Sequence, residues 1–473
     1  MKKLLLPLLC SLTLTCHADG LPDLGDASQE MISPQQERMI GEQSMYQIRA
    51  NKSYLDDAEI ADYLNQLGGI LIANSGEPTQ AYEFFAINEN AINAFAMPGG
   101  FIGVNTGLIL LAQNESELAS VLSHEVAHVT QHHLARMVSG QKYDTLAAMA
   151  AIAVAIIAAR DNPQAATAAI YGAQGGAMQR QLNFTRTYEQ EADRIGLTTL
   201  QKSGFDTRAM PAFFEKMQRA TRIAEGNTPT YLRTHPVTAE RIADVGNRVQ
   251  QQPFHLVPDS LNFQLVRAKL NASVKSPSEG IAFFTSALGE QKFGNPIAQR
   301  YGLTLALLRA NQIKRAEQEF AILQQQAPTN AMITTLAGKL KRADGQDKNI
   351  AAFYRTATQT FPQYRALIYD YADVLLQDRH FDEALKLLNE KILTYPNDAK
   401  LYELQARTFS ALGRVQEEHH ALAYNFILHG NLRASVEQLE LAKQAGTDYY
   451  ELSTIEAELK QFKEILAAQR KRN

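Results

Sequence analysis

The sequence predicts a mainly α-helical protein, in which a helical domain with a small β-ribbon precedes an α-solenoid of two-helix repeats. The 473 residues exceed one ordinary domain, so two or three domains are expected. Prolines recur at a constant interval in the second half, and a strand-like pattern is confined to one short patch of the first half. Hydrophobic residues make up 45% and charged residues 20% of the chain, which is typical of a globular protein with an ample core.

The charge pattern argues against nucleic acid as a partner. The formal net charge is -4, and no long basic run occurs along the chain. The basic C-terminus "RKRN" is too short to indicate a nucleic-acid site, and a solvated chain end explains it.

The first 18 residues have the pattern of a secretory signal peptide. Lys2 and Lys3 form a positive n-region, and Leu4 to Leu14 form a short apolar region. Small residues stand at the two positions that a signal peptidase inspects, so we predict cleavage after Ala18 and export to a bacterial periplasm. A lipid anchor on Cys16 is the alternative, although Thr13 to Thr15 make a poor lipidation box.

Both cysteines of the chain, Cys10 and Cys16, lie in this segment. The mature protein therefore contains no thiol and no disulfide, which suits an oxidising compartment. The uncharged stretch from Leu146 to Ala159 is shorter than the roughly 20 residues that span a bilayer. We expect a buried or amphipathic helix there, or at most peripheral membrane contact near the active site.

Three prolines mark a repeated unit in the second half of the chain. Pro328, Pro362 and Pro396 are spaced by 34 residues, which is the period of the tetratricopeptide repeat. Twelve residues before each proline is a packing position, which is small in two of the three units: Ala316, Ile350 and Ala384. Eight residues before each proline is a large position: Phe320, Tyr354 and Leu388. A further unit has Tyr402, Ala406 and Phe409 on its first helix, with Gly430 in place of the proline.

The stretches 261–290 and 434–463 resemble degenerate or capping units, which a repeat stack needs at its ends. The segment "QQPFHLVP", residues 251–258, separates this array from the first domain. We therefore predict a signal peptide over 1–18, a first domain over 19–250 and a repeat domain over 258–473.

A short patch of the first domain is strand-like. Residues 82–87 and 100–107 flank a turn at Pro98-Gly99-Gly100, and we expect them to form a small antiparallel ribbon. Phe101, Ile102, Gly103 and Val104 alternate after this turn. We predict that they form an edge strand able to pair with the main chain of an extended peptide.

The stretch from His124 to His128 reads H-E-x-x-H. Positions i and i+4 share one face of a helix, so both imidazoles could bind one metal ion. Glu125 lies beside them, where a carboxylate could accept a proton from a water activated by zinc. Histidines on the wet side of a buried helix are the alternative explanation.

A catalytic zinc site needs a third protein ligand. His132 lies two turns beyond His124, and no glycine follows His128 to end the helix, so we assign His132 and His133 to solvent or to outer-sphere contacts. Glu189 and Asp193 form a second i, i+4 pair downstream. Glu189 is the expected third ligand, and Asp193 the expected acceptor for the free N–H of a ligand histidine.

Arg186 precedes Glu189 by one turn and could counter the charge of a tetrahedral intermediate.

Three motifs of the first domain resemble the HtpX and CaaX-prenyl-endopeptidase family of zinc metallopeptidases over residues 80–245. They are H-E-x-x-H, "TRTYEQEAD" about 60 residues later, and "NAFAMPGGFIGVNTGLI". The resemblance implies a gluzincin-type metallopeptidase domain with one Zn²⁺ per chain. It implies His124, His128 and Glu189 as ligands, Glu125 as the base and Asp193 in a supporting or proton-donating role.

With a signal peptide and a repeat array added, the resemblance implies a periplasmic zinc endopeptidase. Such an enzyme would associate with the outer-membrane β-barrel assembly machinery, promote maturation of the lipopolysaccharide-export barrel and degrade stalled or unfolded outer-membrane proteins. Two alternatives stay open: a chaperone or adaptor with a dormant peptidase site, and a metallohydrolase of small molecules. A pairing strand beside the metal favours peptides over small molecules.

His235, in "LRTHPVTAERI", stands before a predicted helix. It could pack or cap there without a further role. It could instead fill the open fourth position of the zinc as a regulatory plug, or it could donate a hydrogen bond to the intermediate.

Overall fold

The computed structural model describes residues 33–76, 81–137, 177–223, 230–250, 256–290, 294–345, 349–446 and 449–472. The predicted signal peptide and the apolar stretch 146–159 lie outside these residues. Helices dominate the described chain, and one small sheet interrupts them, which confirms the mainly α fold class. No helix in the described ranges has the length and apolarity that a membrane span requires.

Two capped helices open the first domain. Helix α1, Pro34–Arg49, begins with a capping box in which Ser33 and Gln36 satisfy each other's backbone N–H groups. Helix α2, Ala58–Ala73, is capped by the Asp57 carboxylate, which accepts hydrogen bonds from two backbone N–H groups of the first turn.

The sheet contains β1, Glu83–Ile87, β2, Ala94–Met97, and β3, Phe101–Asn105, in the order β1-β3-β2. Strands β2 and β3 form an antiparallel hairpin around the predicted Pro-Gly-Gly turn, whereas β1 runs parallel to β3. The predicted antiparallel pairing of 82–87 with 100–107 is therefore wrong. The intervening residues supply β2, a closer partner for β3, and β1 joins the opposite side in the same direction.

The prediction that Phe101 to Val104 forms an edge strand is also wrong. Strand β3 is central, with β1 on one side and β2 on the other, and all five of its residues are buried. Its main chain is already paired on both sides, so it offers no edge to a peptide. In the described sheet, β1 and β2 are the edge strands.

Seven helices of the first domain follow the sheet in the described ranges. They are α3, Thr106–Leu111; α4, Glu115–Thr130; α5, His133–Met137; α6, Ala177–Lys202; α7, Ala209–Ile223; α8, Thr230–Thr234; and α9, Ala239–Gln250. Helix α4 carries the H-E-x-x-H motif and is buried along almost its whole length. It packs against α6, and Gly196 of α6 faces the backbone of His124.

The repeat array follows as consecutive helix pairs. Its helices are α10, Leu261–Val274; α11, Pro277–Glu290; α12, Pro296–Arg309; α13, Ile313–Gln326; α14, Ala331–Asp344; α15, Ile350–Thr360; α16, Arg365–Gln377; α17, Phe381–Thr394; α18, Ala399–Ala411; α19, Val415–Leu428; α20, Leu432–Ala445; and α21, Tyr449–Arg472. Each of the three periodic prolines lies two residues after a helix end. Of the predicted large positions, Tyr354 and Leu388 are fully buried, and Phe320 is partly buried against the hydrophobic core.

The array packs directly onto the first domain. One hydrophobic core contains side chains from α2 and α4 together with side chains from α10, α12 and α14. The buried Lys269 ammonium of α10 lies 2.5 Å from carboxylate oxygens of both Asp57 and Glu59. Farther along the array, Arg365 forms an ion pair with Asp62 at 2.6 Å. The two domains are therefore joined by both apolar and charged contacts.

Gly430 shows why one repeat lacks its proline. It lies two residues after α19, at the place where the other units carry proline, and has φ of 75°. A Cβ there would lie 1.8 Å from the carbonyl oxygen of Tyr46 in α1. A side chain at this position would push the array off the first domain.

Candidate metal centre

Helices α4 and α6 bring the three predicted ligands together. The Nε2 atoms of His124 and His128 lie 3.0 Å apart, as one turn of helix allows. The Glu189 carboxylate reaches across from α6, with Oε2 3.4 Å from Nε2 of His124 and Oε1 3.4 Å from Nε2 of His128. His124 and Glu189 are buried, and His128 is nearly so.

The spacing of these donor atoms suits a single ion. One donor atom each from His124, His128, Glu189 and His235 lie within 4.8 Å of one another. Ligands held tetrahedrally at zinc distances would stand about 3.3 Å apart, close to the separations observed. Two neutral imidazoles and one carboxylate are also the donor types that zinc prefers.

Glu125, the predicted general base, is fully buried beside the cluster. Both of its carboxylate oxygens are buried and form no hydrogen bond within the described part of the chain. Burying an ionised carboxylate without donors is costly, so this group implies a cation or a water beside it. A cation held by the neighbouring histidines would meet that need.

Asp193 lies beside His124, the first of the predicted ligands. Its Oδ1 atom lies 3.1 Å from Nδ1 of His124, on the side of the ring away from the cluster. Burial opposes a charged imidazole, but contacts with Asp193 and Glu189 outweigh it and raise the pKa of His124 to about 9. The arrangement therefore directs Nε2 of His124 toward the cluster.

Arg241 of α9 is a member of the site that the sequence analysis missed. Its guanidinium donates two hydrogen bonds of 2.7 Å to Asp193 and lies 2.9 Å from Glu189. It also donates to the carbonyl oxygen of Pro236 at 2.8 Å, which ties the loop after His235 to the cluster. Burial opposes the charge of Asp193, but Arg241 and His124 hold the pKa of that carboxyl below its usual range. In the sequence, only the position of Arg241 shortly after His235 and Pro236 could have indicated that it belongs to the site.

Arg186 does not share this environment, which corrects the role predicted for it. Its side chain is exposed, whereas Glu189 is buried. Residues three apart differ by only about 60° around a helix axis, so Arg186 neighbours Glu189 on the helix surface but lies on its solvent-exposed side. Arg241 is the guanidinium that reaches the metal-binding carboxylate.

Helix α4 ends at Thr130, although no glycine follows His128, so the expected continuation of the helix is wrong. His132 adopts a left-handed conformation with φ of 49° and lies 3.8 Å from Glu37. The turn brings Nδ1 of His133 to 2.9 Å from Nδ1 of His128. Neither residue belongs to the group of four metal-binding side chains, as the sequence predicts.

His235 lies inside the cluster. Its Nδ1 atom is 2.9 Å from Oε1 of Glu189 and 3.4 Å from Nε2 of His124. Its Nε2 atom is 3.6 Å from Oε1 of Glu125. The Tyr231 ring stacks on the imidazole with 4.7 Å between ring centroids, and this contact fixes its plane.

Two histidines and a glutamate on packed helices, with a second glutamate beside them, define a metal-dependent hydrolase centre of the metallopeptidase type. Residues 59–249 match Peptidase family M48, and residues 341–408 match the tetratricopeptide repeat. The chain is 34% identical to a putative β-barrel assembly-enhancing protease of Vibrio cholerae over 426 residues, which cover 90% of this chain and 88% of that protein.

The β-barrel assembly-enhancing protease of Escherichia coli (strain K12) is 33% identical, covering 90% of this chain and 87% of that protein. The mitochondrial metalloendopeptidase OMA1 of Arabidopsis thaliana is 29% identical over 48% of this chain and 44% of that protein. The chain thus belongs to peptidase family M48, among the β-barrel assembly-enhancing proteases. It is a metalloendopeptidase, which favours the peptidase interpretation over the dormant chaperone.

Proposed function

We propose that the metal is zinc, one ion per chain, held by His124, His128 and Glu189. The observation that supports this is the close spacing of their donor atoms beside a buried Glu125, which has no hydrogen-bond partner among the described residues. Zinc would supply Lewis-acid chemistry and a water of lowered pKa. Glu125 would take the proton of the attacking water, and Asp193 with Arg241 would hold His124 and Glu189 in place.

The substrates we propose are stalled or misfolded outer-membrane β-barrel proteins in the periplasm. The names of the relatives support this assignment, and the signal-peptide pattern of residues 1–18 supports the compartment. The repeat array would recruit these clients or the outer-membrane β-barrel assembly machinery and the lipopolysaccharide-export barrel. Its direct packing on the first domain would bring a recruited chain close to the metal.

A trapping experiment tests the client assignment. Glu125→Gln should bind clients without cleaving them, so crosslinking in the periplasm followed by mass spectrometry should enrich outer-membrane β-barrel proteins and components of their assembly machinery. The wild-type chain, treated identically, should retain fewer clients. Enrichment of soluble periplasmic proteins alone would contradict the proposal.

The sheet offers a different strand for peptide binding from the one predicted. Strand β2 is an edge strand, packs against α4, and has Phe95 and Ala96 half-buried. An extended peptide would add to its free side. Successive N–H groups of a strand point to opposite sides, so proline at Phe95 or at Ala96, made separately, removes one inward and one outward donor. The variant that loses the outward donor should keep the metal and lose peptide cleavage, and full activity in both would refute this placement.

We propose that His235 regulates the enzyme. Three ligands leave one zinc position open, and Nδ1 of His235 lies at ligand-like distances from His124 and Glu189. We favour the plug, in which client binding to the array withdraws the imidazole and admits water. His235→Ala should then raise basal proteolysis. Lower proteolysis would support a hydrogen bond to the intermediate instead, and unchanged activity would leave His235 a packing residue.

A further inference from the structure

The ring nitrogen of His128 that faces away from the cluster, Nδ1, lies within hydrogen-bonding distance of a second histidine, His133. Nε2 of His128 faces the cluster, and Nδ1 points away from it, 2.9 Å from Nδ1 of His133. His133 is buried, with 1% of its surface exposed. The two rings meet nearly edge to face, with centroids 4.9 Å apart.

The chemistry of the pair fixes the direction of this hydrogen bond. A histidine that binds a metal through Nε2 keeps its proton on Nδ1 and is a donor there. Nδ1 of His133 must then be the acceptor, so the proton of His133 resides on its Nε2 atom. That Nε2 atom lies 3.2 Å from Oε2 of Glu191, a carboxylate that accepts.

Further contacts hold Glu191 and the ring of His133 in place. Arg136 donates to both oxygens of Glu191, at 3.3 and 3.1 Å. The Tyr188 ring stacks on the His133 imidazole with 4.6 Å between centroids, and Arg136 lies 4.8 Å from the centre of the same ring. Glu191 and Arg136 are each about 30% exposed, so their charges are not fully desolvated.

The two ligand histidines are therefore oriented in different ways. His124 faces the carboxylate of Asp193 directly at 3.1 Å. The corresponding Nδ1 atom of His128 is connected to a carboxylate, that of Glu191, through the ring of His133. The left-handed turn at His132 makes this possible, because it ends α4 and returns His133 toward the ring of His128.

We propose that His133 is a positioning residue for the metal, which fixes the ring and tautomer of His128, and that Glu191 sets the tautomer of His133. The inference rests on the proposed zinc site. Partners of this kind orient ligands and raise their basicity, and their loss typically costs about 10–100-fold in metal affinity. His133→Phe keeps the stacking on Tyr188 but removes the acceptor, so its zinc affinity should fall within that range.

Three further variants isolate the hydrogen bond. In His133→Asn, the amide oxygen takes nearly the position of Nδ1, so zinc affinity should recover although the smaller side chain packs less well. Glu191→Gln weakens the acceptor of the second hydrogen bond and should lower affinity by less than His133→Phe does. His132→Asn is the matched control, because asparagine tolerates the left-handed conformation and the zinc affinity should not change.

The measurement is zinc affinity of the purified full-length chain by competition with a chromophoric chelator, with circular dichroism to confirm folding. A wild-type chain that binds no zinc would refute the proposed function. If the wild type binds zinc, equal affinity in His133→Phe would overturn the inference. Should His133→Phe fail to fold, wild-type zinc affinity in Glu191→Gln would overturn the inference. A His133→Asn variant that folds but binds zinc no better than His133→Ala would also overturn it.

Discussion

Helices α4 and α6 approach each other closely at Gly196, and a side chain there should disturb the proposed metal site. A Cβ at this position would lie 3.1 Å from the Cα and N atoms of His124 and from the carbonyl carbon of Ser123. These are backbone atoms and cannot rotate away. In Gly196→Ala, α6 must therefore move off α4 to restore ordinary contact.

The size of that movement follows from the contact. Ordinary van der Waals contact begins at 3.4 Å, so the helices must separate by at least about 0.3 Å. Overpacking of this kind typically costs about 1–3 kcal/mol. Functional constellations tolerate errors of only about 0.5 Å, and α6 carries Glu189. We expect Gly196→Ala to lower both the free energy of unfolding and the zinc affinity, the latter by about tenfold for each 1.4 kcal/mol lost from the bound state.

Gly69→Ala in α2 is the matched control. Nothing lies within 4 Å of a Cβ at Gly69, so this change should raise stability by up to about 1 kcal/mol through helix propensity. Thermal unfolding with zinc and with a chelator, together with chelator competition, measures both effects. If Gly196→Ala were stabilised like Gly69→Ala and bound zinc like the wild type, the account of helix packing would be refuted.

Glu189→Gln should weaken zinc binding and His132→Ala should not; the reverse result would make the third ligand a histidine. Lys269→Met leaves the buried Glu59 and the partly exposed Asp57 without their cation and should destabilise the contact between the domains by about 3–5 kcal/mol, measured by urea unfolding; a loss below 1 kcal/mol would show that the ion pairs contribute little. Burial opposes the charge of Asp57, but Lys269 outweighs it and lowers the pKa of Asp57. The stability from this pair is therefore present above the unfolded pKa of about 3.9 and lost as pH falls through the lower folded value. The stability difference between wild type and Lys269→Met should be smaller at pH 3 than at pH 7, because the carboxylates become protonated as pH falls, and an equal difference at both pH values would contradict this assignment.

The clustering of His124, His128, Glu189 and Asp193 was predictable because each helical pair is local. His124 with His128, and Glu189 with Asp193, are one helical turn apart, so spacing alone places each pair on one face. The repeats were predictable for the same reason, since Pro328, Pro362 and Pro396 mark helix ends within single units.

The parts that could not be predicted depend on contacts between distant segments. The order of the strands is set by which side of β3 each partner joins, and the chain between them carries no signal for that choice. Arg241 lies 48 residues from Asp193, and no local pattern links them. The end of α4 at Thr130 is followed by the left-handed conformation of His132, and no local residue pattern indicates either feature.

If this chain is a zinc endopeptidase whose base is Glu125, cleavage must require both the metal and the Glu125 carboxylate. The most direct test measures zinc content and cleavage of an unfolded outer-membrane β-barrel protein for the wild type and for Glu125→Gln. We expect about one zinc per chain in both proteins, with cleavage by the wild type and none by Glu125→Gln. Cleavage by Glu125→Gln at the wild-type rate, or a wild-type chain that cleaves without bound metal, would contradict it.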